Sequence, residues 1–153
     1  MNLTQIWDYI KGIKSVQDLL TKYGDVMQYA LPIVALFMMV YTGRLDLLIQ
    51  WFLAVGGQGV ISLGLKKLFN QTSLGVKPNG IDLDAMPSAH TSSAVTGAVL
   101  LFLAGGLWAG VIGGGAAALT AYSRVKSGEH DKKDVVVGGI IGALTPFGIH
   151  MWL

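Results

Sequence analysis

The sequence predicts an all-α integral membrane protein: a helix bundle of about five transmembrane spans with an N-terminal amphipathic helix at the interface. Three observations predict it. Hydrophobic residues make up 52% of the 153-residue chain and charged residues only 13%, against roughly a quarter charged in soluble domains. Apolar stretches of bilayer-crossing length recur, separated by short polar segments. From Ala85 through Ser123 there is no Asp, Glu, Lys or Arg, a run far too long for a single crossing. The length fits one domain, and a net charge of +2 is too small to suggest a nucleic-acid partner. With no cysteine and three histidines, the chain offers neither disulfides, thiol chemistry nor a zinc-type cluster.

The elements follow in order. Over residues 3–20, Leu3, Ile6, Trp7, Ile10, Ile13, Leu19 and Leu20 recur at three- and four-residue spacings, with Asp8, Lys11, Lys14 and Asp18 largely between them. This segment is too polar to span; it lies at the membrane interface or packs on the end of the domain. We therefore divide the chain into an interfacial helix, residues 1–22, and one transmembrane domain, residues 23–153. Residues 1–23 lack an apolar core followed by small residues, so no signal peptide is expected and the spans themselves drive insertion.

Val26–Thr42 is the first expected span, with Pro32 predicted to kink it. Leu45–Phe69 is the second, ending in Lys66 and Lys67. Gln50 and Gln58 within it are expected to face other helices rather than lipid. Residues 70–87 read as a loop. The uncharged block that follows must fold back on itself, and Gly105-Gly106 is the natural break. Spans are thus expected over 88–104 and 107–123, and a fifth over 134–153. Gly106, Gly110 and Gly114, and likewise Gly138 and Gly142, repeat every four residues, a spacing that lets helices approach closely in lipid.

Five spans put the 66–87 and 123–134 regions at one end of the bundle. Eight of the eleven residues from Arg124 to Asp134 are charged or His. Lys66, Lys67, Lys77, Arg124 and Lys126 bring cations to that end. Pro87 and Ser88 open a helix whose free N–H groups and dipole favour an anion, and Arg supplies a planar donor fork for phosphate. His130 lies four residues before Asp134, on the expected first turn of the fifth span. There a carboxylate can fix one imidazole nitrogen and free the other to attack. Glu129, Asp131, Lys132 and Lys133 read as solvated loop charges, and His150 as interfacial.

At these residues the sequence resembles the type 2 phosphatidic acid phosphatase (PAP2) family, which shares its core with the vanadium haloperoxidases. The family's third motif (Ser-Arg, five residues, His, three residues, Asp) is met in full by Ser123, Arg124, His130 and Asp134. The second, Pro-Ser-Gly-His, appears as Pro87-Ser88-Ala89-His90. The first, Lys, six residues, Arg-Pro, is met in part. Lys77-Pro78 stands for Arg-Pro, but its Lys position holds Asn70, and the nearest lysines lie about one helical turn earlier.

The resemblance implies a PAP2/haloperoxidase-like bundle and metal-independent hydrolysis, with no cofactor. The substrate would be the phosphomonoester or pyrophosphate of a lipid: phosphatidic acid, phosphatidylglycerol phosphate or polyprenyl pyrophosphate. It gives His130 the role of nucleophile, Asp134 that of orienting it, and His90 that of general acid and base. Arg124, Lys77, Lys67 (preferred over Lys66), Ser88 and the N–H of Ala89 would hold the phosphate. Ala89 in place of Gly alters the pocket if that position demands positive φ. Phosphotransfer to another lipid, haloperoxidase chemistry, and phospholipid binding without turnover stay open as alternatives. The implied location is the bacterial inner (plasma) membrane. Ten of the eleven Lys and Arg fall at the site end, which the positive-inside rule assigns to the cytoplasm.

Overall fold

The computed structural model describes residues 15–153, and all regular structure among them is helical. Most of the amphipathic segment, and so of the 1–22 unit, lies outside these residues. Helix α1, Val16–Tyr41, is capped by Ser15, whose hydroxyl accepts from the Asp18 N–H at 3.0 Å. It starts ten residues before the expected span and carries residues 16–22 into it without a break. Asp18, Lys22 and Asp25 recur at helical spacing and mark a polar end of this long helix. A short 3₁₀ turn, Leu45–Leu47, leads into α2, Leu48–Phe69. Helix α3 is Ala89–Lys126 and α4 is Lys132–Trp152.

α3 is two crossings rather than one. Gly106 sits inside it at φ 77° and ψ −164°, a conformation that glycine alone adopts readily. In a straight helix Ala98 and Gly113 would stand about 22 Å apart. Instead a Cβ on Gly113 would lie 3.1 Å from the Ala98 Cα. The block therefore turns back at the Gly105-Gly106 pair, and limbs 89–105 and 107–126 lie side by side. Among the described residues four helices are long and apolar enough to cross a membrane, and the hairpin in α3 makes five crossings of them.

The first limb of α3 is the axis of the bundle. Gly97 lies against the α1 backbone at Leu31 and Pro32, and Gly142 of α4 lies against Ser92, so a side chain on either would meet main chain. The same limb repairs the two proline-bearing helices. Pro32 has no N–H for the Gln28 carbonyl, and Pro146 none for Gly142. The Ser93 hydroxyl donates to Gln28 O at 2.6 Å, and Thr96 Oγ1 to Gly142 O at 3.1 Å. α1 accordingly runs on through Pro32. Gln50 and Gln58 are both buried. Gln58 accepts from Ser92 Oγ at 2.9 Å, and Gln50 meets His150 Nδ1 at 2.9 Å. Large apolar side chains cover the outside, Phe37, Phe52, Trp108 and Leu144 among them. On such a surface lipid takes the place of water.

Candidate active site

Local sequence dictates how the third motif folds. Ser127-Gly128 stops α3: Gly128, at φ 75°, donates to Val125 O at 3.1 Å and Glu129 N–H to Arg124 O at 3.2 Å, the paired bonds of a Schellman end. His130 N–H also donates to Arg124 O at 3.2 Å, so the chain is folded back over Arg124. Asp131 then caps α4, and its N–H donates to Asp134 Oδ2 at 2.8 Å in a reciprocal capping box. His130 thus stands in the turn before the cap, not on the first turn of the last span as the spacing suggests.

His130, Asp134 and Arg124 are all buried, yet each has a polar atom without a partner: His130 Nδ1, Asp134 Oδ1 and Arg124 Nε. His130 Nδ1 and Asp134 Oδ2 are 3.8 Å apart, close to but outside hydrogen-bond range. Burial first, and then the charges of Lys66 and Arg124, lower the His130 pKa to about 3. The ring is therefore neutral near pH 7, the form that carries a lone pair.

The second motif comes in from α3. Ser88 is its N-cap, fully buried, accepting from Thr91 Oγ1 at 3.1 Å while its own N–H donates to Asp134 O at 3.0 Å. That bond ties the two motifs together. Pro87 precedes the cap instead of occupying the first turn. Ala89 is the first helical residue and is not among the positive-φ positions, so Ala for Gly brings no backbone strain there. His90 follows, its Nε2 3.3 Å from Asp25 Oδ1.

The lysines are arranged differently from the sequence reading. Lys67 is exposed, and it is Lys66 whose ammonium turns inward, onto the Asp84 backbone carbonyl. Lys66 and Asn70 are four apart on one helix face. Asn70 holds Asp84 on both sides, with Nδ2 donating to its carboxylate at 2.7 Å and Oδ1 accepting from its N–H at 3.0 Å. Lys66 thus approaches the cluster from the turn before the position where the motif expects its lysine. Lys77 pairs with Glu129 at 2.8 Å, which draws the Glu129 carboxyl below its usual range and corrects the reading of Glu129 as a solvated loop charge. Asp25, not singled out in the sequence, binds Arg124 Nη1 at 2.8 Å.

Beside this cluster an apolar groove of about 580 Å³ opens between the two limbs of α3 and α4. It begins at Thr91 and Val135, next to Ser88 and Asp134, and ends at Phe102, Leu107 and Phe147.

The described residues thus form an all-helical membrane bundle of five apolar crossings, with cations, two histidines and a helix N-terminus gathered at one end. The family model for the PAP2 superfamily matches residues 47–153, and the chain belongs to that superfamily. No curated protein matches it by sequence. Its fold is similar to that of LpxE from Aquifex aeolicus, with a TM-score of 0.74 at 23% identity over 97% of this chain and 94% of that one. It is similar too to the first transmembrane PAP2-type phosphatidylglycerolphosphate phosphatase from Bacillus subtilis. There the TM-score is 0.70 at 21% identity, over 99% of this chain and 87% of that one.

Proposed function

We propose that the protein is a membrane-embedded phosphatase that removes phosphate from a lipid monophosphate or pyrophosphate, independently of metal, through a phosphohistidine on His130. The observation that carries this reading is the convergence of three buried, unpartnered polar atoms on motif residues. A buried polar atom left unpaired costs about 1–3 kcal/mol; a small turn of the ring lets His130 and Asp134 satisfy each other, and the Arg124 Nε–H is left for a ligand to complete. In the mechanism, His130 Nδ1–H turns to Asp134 and leaves Nε2 to attack phosphorus. The Nε2–P bond forms, the ester P–O bond breaks, and His90 gives the departing oxygen its proton. Water then loses a proton to His90 and attacks the phosphohistidine, returning His130 and releasing phosphate. Arg124, Lys66, Ser88 and the Ala89 N–H hold the phosphoryl oxygens, with Lys77 at the rim.

The groove beside the site supports a lipid substrate, because its apolar walls suit a tail while the head enters the polar end. Phosphatidic acid, phosphatidylglycerol phosphate and polyprenyl pyrophosphate are the candidates. The charge distribution favours a cytoplasmic site in a bacterial inner membrane. An impermeant thiol reagent on a Lys132→Cys variant in intact cells tests the side. The deciding assay is phosphate release from these lipids in detergent with a chelator present. His130→Ala should abolish it, and turnover that survives this substitution sinks the mechanism. Appearance of a phosphorylated acceptor lipid in place of free phosphate would identify a transferase.

A further inference from the structure

One carboxylate in the site comes from outside the family's matched region. Asp25 is on α1, and the superfamily match begins at residue 47. Its Oδ1 accepts from Arg124 Nη1 at 2.8 Å and lies 3.3 Å from His90 Nε2. One oxygen therefore joins a phosphate ligand to the proposed general acid. The approach is built into α1: Gly24 is buried against Ser123 and Arg124, where a Cβ would collide with the Ser123 hydroxyl. Gly24 brings the helix in, and Asp25 reaches the two partners. A surface ion pair needs no such fit, and here both partners are largely covered, with side-chain exposures of 5% for Arg124 and 25% for His90.

We propose that Asp25 is a positioning residue, which orients His90 and Arg124 through one shared carboxylate oxygen so that the acid and the phosphate ligand address the same substrate. This rests on the phosphatase reading above. Asp25 engages His90 through Nε2 and leaves Nδ1 as the nitrogen that passes a proton to the leaving oxygen. The charged groups around His90 are Asp25 from α1, Arg124 from α3 and Lys66 from α2. Among the described residues Asp25 is thus the carboxylate that balances two cations at this ring. The arrangement parallels Asp134 beside His130: each histidine has its own aspartate.

The test compares two soluble substrates with the full chain in detergent. An alkyl monophosphate has a leaving alkoxide that needs a proton, and p-nitrophenyl phosphate has one that departs without it. Asp25→Asn should lower kcat/KM on the alkyl phosphate by about a hundredfold, the low end of general-acid effects, and on the aryl phosphate by only about threefold. Asp25→Glu, which keeps the charge and shifts it by one methylene, should show the same selectivity with a smaller loss, and serves if the Asn variant does not elute as a monodisperse species. Equal losses on both substrates indicate a merely structural role and overturn the proposal. So does an unchanged rate, or a lowered KM with faster turnover, which would mean that the carboxylate competes with phosphate. Wild-type protein inactive on every phosphate ester overturns the phosphatase reading itself, whereas an active wild type with an indifferent Asp25 overturns this inference alone.

Discussion

His130 shows how burial sets chemistry at the scale of a residue. Its pKa of about 3 lies below the unfolded value near 6.5, through burial first and the charges of Lys66 and Arg124 next. As pH falls through 6.5 the unfolded chain takes up a proton that the folded ring refuses. Stability from this residue is therefore present above about pH 6.5 and is lost between 6.5 and 3. Resonances of ¹⁵N-labelled histidine should show His130 neutral down to about pH 4. Lys66→Met removes one of the two cations and should raise the titration midpoint; an unmoved midpoint separates Lys66 from the site. The same lysine yields a kinetic prediction. Lys66→Ala should reduce kcat/KM by about 10²-fold, the scale of one lost oxyanion donor, while Lys67→Ala stays within a few-fold of wild type. Comparable losses in both variants would contradict the inward placement of Lys66. Sequence spacing exposed His130, Asp134 and Arg124 because that motif folds within one turn and two helix ends. It could not rank Lys66 over Lys67, because neighbours on a helix point about 100° apart and the inward face was unknown. The usable signal was Asn70, which shares its face with Lys66. Asp25 escaped because its partner Arg124 is 99 residues away, a separation no local pattern reports.

At the scale of elements, α3 does two jobs that its composition shows only in part. The break at Gly105-Gly106 is legible, since no bilayer holds so long an apolar run as one helix. The start of α1 is not, because Asp18, Lys22 and Asp25 look like interface charges until Arg124 is known to receive one of them. Nor does periodicity show that Ser93 and Thr96 serve the carbonyls freed by Pro32 and Pro146; each looks like an ordinary small residue in a packed helix. Ser93→Ala should leave Gln28 O without its donor and cost about 1 kcal/mol, the measured range for polar contacts between membrane helices. Reversible unfolding in mixed micelles measures it. Gly97→Val is harsher. Its Cβ would stand 2.5 Å from Pro32 N, so α1 must move off α3 and carry Asp25 with it. The expected result is a lower melting temperature together with lost turnover; a stable, fully active Gly97→Val protein would contradict the α1–α3 packing.

For the whole molecule, the groove decides how a lipid and a polar site share one bundle. From Thr91 to Phe102 it follows 11 residues of helix, about 16 Å at 1.5 Å per residue, or roughly half of a ~30 Å hydrocarbon core. That depth is one leaflet, so in the proposed function a tail stays at its own level in the bilayer while the head enters the polar end of the groove. Ala118 lines the groove on the second limb of α3, about one and a half helical turns before Ser123 and Arg124. A tryptophan there should occupy the space of a tail without touching the chemistry. For Ala118→Trp we expect KM for a long-chain lipid phosphate to rise about tenfold, close to the loss of one or two buried methylenes at ~0.8 kcal/mol each, with kcat held. Turnover of p-nitrophenyl phosphate, which has no tail, should not change. A fall in both activities would mean that the groove is structural packing, and no change in either would put the tail on another face of the bundle.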